Sequence, residues 1–157
     1  MPDATVSTMP ESFTATKRKD IAQPAMSPYL CVPDARAAID WYSVALGGSV
    51  VGEPIVTDDG RIGHAEIEIG GGTLYLADEY PEMGLKAPVP KAVSVSFLLR
   101  VQSTDTTLQR ARAHGAAVER EIYQAHGSRN ATIIDPFGHR WLLSGPIGTP
   151  DPHDDVA

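Results

Sequence analysis

The stretch "LCVPDARAAIDWYSVALGG", residues 30–48, indicates how this chain folds. A short apolar strand ends at Pro33, and Asp34 follows it as a candidate helix N-cap. Apolar side chains then recur at the three- and four-residue spacing of one helix face. The pair Gly47-Gly48 is typical of a helix end. The stretch therefore predicts a strand, a capped helix and a glycine stop.

The same order of elements returns in "FLLRVQSTDTTLQRARAHGA", residues 97–116, with Ser103 or Thr104 as the cap and Gly115 as the stop. Three strand patterns follow each helix. They are "SVVGEPIV", "RIGHAEIEIG" and "TLYLAD" in the first half, and "AAVEREIY", "NATIID" and "HRWLL" in the second. Each half is predicted to be a βαβββ module, so the fold class is α+β. One helix per module can cover only one face of its sheet.

The ends of the chain differ in composition from the part between them. Residues 1–24 are rich in Ser, Thr and Pro and lack the apolar core of a secretory signal, so we expect a disordered leader. Residues 147–157 predict a disordered acidic tail. Between them we expect a single domain at 25–146, made of modules 26–79 and 92–145 and joined by a Pro-rich linker.

Composition excludes several classes of protein. The net charge is −7 over 157 residues, which argues against a nucleic-acid partner. No apolar run approaches the length of a membrane span, so we expect no membrane partner. The single cysteine, Cys31, excludes a disulfide within one chain and fits a reducing cytoplasm. We expect a cytoplasmic protein.

Three segments of the chain carry a family resemblance: residues 30–48 quoted above, the middle segment "GHAEIEIGGGTLYLADEYPEMG" (63–84) and the closing "DPFGHRWLL" (135–143). Together they resemble the vicinal oxygen chelate superfamily of glyoxalases, bleomycin-resistance proteins and extradiol dioxygenases. The middle segment is similar to the PhnB-like branch. The resemblance implies that the two modules form curved mixed sheets around a cavity, and that relatives complete this cavity as a homodimer. It says less about chemistry, because one fold hosts many functions.

Metal-dependent members of the superfamily hold a divalent ion with side chains of the first and last strand of each module. The resemblance puts four residues of this chain near those positions, and a hydroxyl, a phenol or an alkyl group binds such ions weakly or not at all. We therefore expect no metal and no other cofactor. The four residues are Ser27, Tyr75, Ser96 and Leu142.

Strand alternation tests these positions without the family. It places Ser27, Tyr29 and Cys31 on one face and leaves Leu30 and Val32 to pack against the helix. In the second module, Ser96 and Leu142 face the cavity. The predicted packing residues there are Val95, Phe97, Leu99, Val101, Trp141 and Leu143.

Three further positions carry polar groups of interest. His64 and Glu66 share a strand face with Glu68, either as a solvated face or as an acid–base or improvised metal site. Arg129, in "HGSRNATIIDPFGH" (126–139), either fixes an anionic group in the pocket or lies on the surface. His139 follows a type I turn and shares its face with Trp141, so we interpret it as structural.

The favoured hypothesis is a metal-free protein that binds a small, partly apolar molecule in a dimer cavity. The predicted pocket comprises Ser27, Tyr29, Tyr75, Ser96, Leu142, His64, Glu66 and Arg129. One alternative is a metal-dependent lyase, isomerase or dioxygenase with displaced ligands such as His64 and Glu66. Another is a structural or regulatory module whose cavity is filled by its own side chains. The sequence leaves open whether the protein is an enzyme.

Overall fold

The computed structural model describes residues 24–148, so nearly all of the expected leader and tail lies outside the described residues. No helix in this range is long and apolar enough to cross a membrane. The first half contains β1 (Tyr29–Val32), α1 (Ala35–Leu46), β2 (Ser49–Val50), β3 (Ile55–Val56), β4 (Ile62–Ile69) and β5 (Gly72–Asp78). A 3₁₀ turn at Pro81–Met83 follows. The second half contains β6 (Ser96–Arg100), α2 (Thr104–Ala113), β7 (Ala117–Ala125), β8 (Ser128–Ile134) and β9 (Arg140–Gly145).

Both helices begin where the sequence predicts. The carboxylate of Asp34 accepts a hydrogen bond from the amide of Ala37, and Gly47 closes α1 with a left-handed φ of 72°. In the second half, Ser103 Oγ accepts from the amide of Thr106 at 3.2 Å. Short polar side chains thus satisfy amides that the first turn of each helix leaves unpaired.

The strands form two mixed sheets of the predicted kind. Sheet 1 has the order β1-β5-β4-β2, with β3 also paired to β4, and sheet 2 has the order β6-β9-β8-β7. In each sheet the first strand of the module runs parallel to the last one. The remaining pairs are antiparallel. Two βαβββ modules therefore make an α+β fold.

The second strand of the first module is shorter than predicted. The segment "SVVGEPIV" contains two separate two-residue strands, β2 and β3, instead of one continuous strand. Gly52 between them has a left-handed φ of 68°, and Pro54 has no amide hydrogen to donate to a ladder. These two residues interrupt the pairing with β4.

One core serves both modules. The buried side chains of α1, of α2 and of the helix-facing sides of both sheets belong to a single apolar cluster. The helix α1 packs on sheet 1, α2 packs on sheet 2, and the two helices contact each other. Each sheet thus turns its helix-covered face toward the shared core. We call the opposite, outward face of each sheet its open face.

The predicted packing residues are confirmed with one exception. Leu30, Val32 and Leu99 are buried, as are Trp141 and Leu143. The prediction for Val95 is wrong, because this residue precedes β6 and its side chain is 52% exposed. Strand alternation cannot be extended past the end of a strand, where the backbone no longer keeps the period of two.

Candidate functional site

The open face of sheet 1 carries the polar row predicted for β4. Ala65, Ile67 and Ile69 are buried on the helix side, so His64 and Glu66 lie on the open face. Glu66 is directly opposite Tyr75 in the register of β4 and β5, and Tyr29 is beside Tyr75 in the register of β1 and β5. Sheet pairing therefore brings together four of the predicted pocket residues.

Three of these residues form an aromatic cluster, which we define as Tyr29, His64 and Tyr75. The ring centroids are 5.5 Å apart for Tyr29 and His64, 5.7 Å for Tyr29 and Tyr75, and 4.9 Å for His64 and Tyr75. The pairs are tilted or edge-on, which are favourable arrangements for aromatic rings. Tyr29 is 53% exposed. The cluster is therefore an accessible aromatic surface.

The hydroxyl of Tyr29 is held by two contacts. Its Oη atom donates to the carbonyl oxygen of Gly63 at 2.8 Å and lies 2.8 Å from His64 Nδ1. A phenol has one proton and a carbonyl only accepts, so the arrangement that satisfies both contacts has Nδ1 donating to Oη. In the neutral imidazole, Nε2 is then the acceptor nitrogen. The histidine ring is oriented by this pair of bonds.

Partial burial raises the pKa of the Tyr29 phenol above its usual range, and the nearby phenols of Tyr80 and Tyr75 add to this effect. Tyr29 therefore stays protonated at neutral pH and acts as a hydrogen-bond donor. Near the cluster, Ser27 Oγ is buried and has no hydrogen-bond partner within residues 24–148. The hydrogen-bonding capacity of this hydroxyl is not used by the described part of the chain.

The open face of sheet 2 combines a leucine pair with polar side chains. Leu98 lies beside Leu142 in the register of β6 and β9, and Leu98 is 56% exposed. Ser96 Oγ accepts a hydrogen bond from Arg140 Nη1 at 3.1 Å, while Arg140 Nε donates to Glu119 at 2.6 Å. Two of the predicted pocket residues, Ser96 and Leu142, thus occupy this second surface.

The predicted pocket residues are consequently divided between two surfaces of one chain. Because both sheets turn their helix-covered faces toward one core, their open faces point away from that core and not toward each other. Within a single chain, Ser27, Tyr29 and Tyr75 do not share a cavity with Ser96 and Leu142. A cavity lined by both sets requires a second copy of the chain.

Arg129 lies on a different side of sheet 2 from Ser96 and Leu142. It shares strand parity with the buried residues Ala131 and Ile133, which face α2. Its guanidinium makes a two-pronged contact with Asp105 in the first turn of α2, at 2.5 and 2.8 Å. This pairing raises the pKa of Arg129 and lowers the pKa of Asp105. Arg129 therefore connects β8 to α2, and we remove it from the candidate site.

His139 has the structural position that the sequence indicates. It is 7% exposed, and its Nε2 atom lies 3.0 Å from the carbonyl oxygen of Cys31. Its backbone amide donates to the buried carboxylate of Asp135. His139 thus links the end of the second module to the first strand of the first.

No group of three or more His, Cys, Asp or Glu side chains lies close enough to hold a metal ion within residues 24–148. The positions implied by the family carry Ser27, Tyr75, Ser96 and Leu142, so their donor set does not fit a divalent ion. His64 and Glu66 are the nearest alternative pair of ligand types. They would need further ligands from solvent or from a second chain.

Comparison with known proteins agrees with this architecture. A family model described as the glyoxalase/bleomycin resistance protein/dioxygenase superfamily matches residues 21–143. An uncharacterized protein of Mycobacterium tuberculosis is 38% identical over 130 residues, which cover 80% of this chain and 76% of that protein.

Solved structures with the same fold include a PhnB protein from Bacillus cereus, described as a putative 3-demethylubiquinone-9 3-methyltransferase. Its TM-score is 0.60, and it is 17% identical over 76% of this chain and 98% of that chain. The fosfomycin resistance protein FosX from Listeria monocytogenes has a TM-score of 0.59 and 16% identity over 83% of this chain and 95% of that chain. A point mutant of FosX was solved with Mn(II) and 1S,2S-dihydroxypropylphosphonic acid. At these identities the likeness concerns the fold alone.

Proposed function

This chain belongs to the glyoxalase/bleomycin resistance protein/dioxygenase superfamily, and from that premise we propose that it captures a small, partly apolar molecule without a bound metal ion. Binding takes place on the open faces of its sheets, in a cavity that a second copy of the chain completes, in the cytoplasm. The observation that carries the proposal is the accessible aromatic cluster of Tyr29, His64 and Tyr75, next to the hydrogen-bonding groups of Glu66 and Ser27.

The chemistry of this surface suits a partly apolar ligand. Aromatic rings contribute a large contact area at low cost in side-chain entropy, while a few fixed polar groups set the orientation of the ligand. The proton of the Tyr29 hydroxyl is already donated to Gly63, so the polar groups offered to a ligand are the Ser27 hydroxyl, which has no partner within residues 24–148, and the Glu66 side chain. A ligand with an apolar body and one or two polar groups matches both features.

The dimer is supported by what the open faces expose. Tyr29 on sheet 1 and Leu98 on sheet 2 are each more than half exposed, so each open face presents a large side chain that a second copy could cover. The open face of sheet 1 also carries Glu68, and that of sheet 2 carries Arg100, both exposed. A two-fold arrangement that sets sheet 1 of one copy against sheet 2 of the other would bring opposite charges together.

The test is a thermal unfolding screen of the full chain against small apolar compounds, with a chelator present throughout. A ligand that binds only the folded protein, at one hundred times its Kd, stabilises it by about 2.7 kcal/mol, or roughly 8 °C in Tm for a domain of this size. The shift should disappear in Tyr29→Ala and Tyr75→Ala. It should persist in Glu53→Ala, which changes an exposed loop residue away from the cluster. If no compound shifts Tm, capture fails and a filled structural or regulatory module becomes the better description.

A second candidate is metal-dependent chemistry with His64 and Glu66 as displaced ligands. It is favoured by their shared position on the open face, and by the Mn(II) in a FosX structure of similar fold. Metal content is measured by mass spectrometry after incubation with Mn, Fe, Ni, Co and Zn salts and dialysis. Near-stoichiometric metal that is lost in His64→Ala would replace the capture proposal with this one. Absence of retained metal would remove this candidate.

A further inference from the structure

A cleft of about 310 Å³ lies where the two modules meet, and we call it the junction cleft. The first module contributes the strand β1 and the loop after β5, and the second contributes the approach to β6 and the start of β9. Its volume is at the lower end of the range for small-molecule sites. The lining residues used below are Pro28, Leu85, Lys86, Val95, Phe97 and His139.

His139 contributes a hydrogen-bond acceptor to the lining of this cleft. Its Nε2 atom contacts the carbonyl oxygen of Cys31, and because a carbonyl oxygen only accepts, Nε2 carries the proton. In the neutral ring, Nδ1 is then an acceptor. Nδ1 has no hydrogen-bond partner among the residues that the structure describes, although the side chain is more than nine-tenths buried. The Nδ1 atom itself is not fully enclosed, so a ligand that supplies a donor can reach it from the cleft and form one hydrogen bond.

The rest of the cleft is mainly apolar. The Phe97 and His139 ring centroids are 6.2 Å apart, and the side chains of Pro28, Leu85 and Val95 complete the walls. Cys31 also lines the cleft, but burial and the charges of Glu79 and Asp78 raise the pKa of its thiol. A protonated thiol is a poor nucleophile, so the cleft is suited to reversible binding.

We propose that the junction cleft is a second binding site, for a small aromatic molecule that carries one N–H or O–H donor. The donor is directed at His139 Nδ1, and the ring packs against Phe97. Lys86 at the rim favours ligands with an additional anionic group. Tyr29 lines both this cleft and the capture surface, but the proposed site differs from that surface because its donor and ring contacts are to His139 and Phe97 and not to His64 or Tyr75.

The probe is indole, and the control compound is indene, which has nearly the same shape but no N–H donor. The full chain is labelled with ¹⁵N at histidine and titrated with each compound while the ring nitrogens are observed by NMR. We expect saturable binding of indole with a change in the His139 Nδ1 shift, and binding of indene about three- to tenfold weaker, as expected for one hydrogen bond. Equal affinities with an unchanged His139 signal would overturn the proposal.

Matched variants locate the binding without touching His139, whose replacement risks unfolding. Val95→Phe adds volume at the mouth of the cleft from a position that is already 52% exposed. Val89→Phe makes the same change at an exposed residue that does not line the cleft. Indole affinity should fall at least tenfold in Val95→Phe and stay unchanged in Val89→Phe and His64→Ala. Retention of full affinity in Val95→Phe would refute the cleft as the site. Loss of affinity in His64→Ala would instead assign indole to the capture surface.

Discussion

At the scale of single residues, Asp135 fixes the conformation and position of the "DPFGH" turn, residues 135–139. Its buried carboxylate accepts hydrogen bonds from Tyr42 Oη at 2.6 Å and from Trp141 Nε1 at 2.9 Å. The backbone amides of Phe137 and His139 donate to its other oxygen, both at 2.9 Å. Since Tyr42 belongs to α1, this one carboxylate ties the last turn of the second module to the helix of the first. These four donated hydrogen bonds offset the cost of burying the carboxylate.

Tyr42→Phe should lower the free energy of unfolding by about 1.5–3 kcal/mol, the range for a hydrogen bond to a charged group. The phenyl ring keeps the packing, so the loss reports the hydroxyl alone. Urea unfolding followed by fluorescence measures it. Tyr123→Phe is the control, because that hydroxyl makes no hydrogen bond among the described residues and the contact of its ring with Arg120 is retained. Equal stability of the two variants would contradict the role of the Tyr42–Asp135 bond.

The same residue predicts a loss of stability in alkali. Burial, with the charge of Asp135, raises the pKa of Tyr42 well above its ordinary value. Above about pH 10 the unfolded chain releases this proton while the folded chain keeps it, so the folded state binds more protons and stability falls as pH rises. Urea unfolding at pH 8 and pH 11 should show a smaller decrease for Tyr42→Phe than for the wild type. An identical decrease in both would show that other groups govern the alkaline limit.

At the scale of the elements, the turn between β4 and β5 of the first module packs against β6 of the second. Gly70 has a left-handed φ of 57°, and a Cβ atom at this position would lie 2.5 Å from Leu99 Cδ1 on β6. Gly71 has a φ of 77°, with nothing within 4 Å of the same added atom. The first glycine is therefore needed for close approach as well as for backbone conformation, whereas the second is needed for conformation alone.

Gly70→Ala should consequently destabilise the protein more than Gly71→Ala does. Both substitutions incur the backbone cost of about 1 kcal/mol, and Gly70→Ala adds about 1–3 kcal/mol for overpacking against Leu99. Thermal or urea unfolding gives both values. The double variant Gly70→Ala/Leu99→Ala should not show the sum of the two single losses, because removing the leucine side chain relieves the clash. Additive losses would mean that the two residues do not interact.

The sequence was more informative about some elements than about others. The caps Asp34 and Ser103 were predictable, because each acts on amides two or three residues away. The splitting of the strand at Gly52 and Pro54 could have been found from those two residues. The pairing of Arg129 with Asp105 could not, because they lie on different elements and only the packing of α2 on sheet 2 brings them together.

At the scale of the whole molecule, the two open faces determine the expected assembly. The aromatic cluster on sheet 1 and the exposed Leu98 on sheet 2 are directed away from the shared core. Interfaces between identical subunits commonly cover surfaces of this kind. In the proposed dimer, the capture surface and the interface are parts of one cavity, so we expect assembly and ligand binding to depend on each other.

Leu98→Glu should weaken the dimer, because it introduces a charge in the apolar part of the proposed interface. Sedimentation velocity of the wild type at micromolar concentration should give twice the mass of one chain, and the variant should shift toward the single-chain mass. Val44→Glu is the control, since Val44 is 51% exposed on α1 and away from the open faces. A wild type that sediments as one chain would remove the dimer from the proposed function.

The sequence by itself determined the order of elements, the helix caps and the side of each strand that packs against a helix. These features follow from local bonding and from the periods of helix and strand, which short segments carry within themselves. Only the tertiary structure decided that the predicted pocket is divided between two outward faces, that Arg129 is bound to Asp105, and that His139 closes a cleft between the modules. Those relations join residues far apart in the chain, and the packing of two helices into one core sets them.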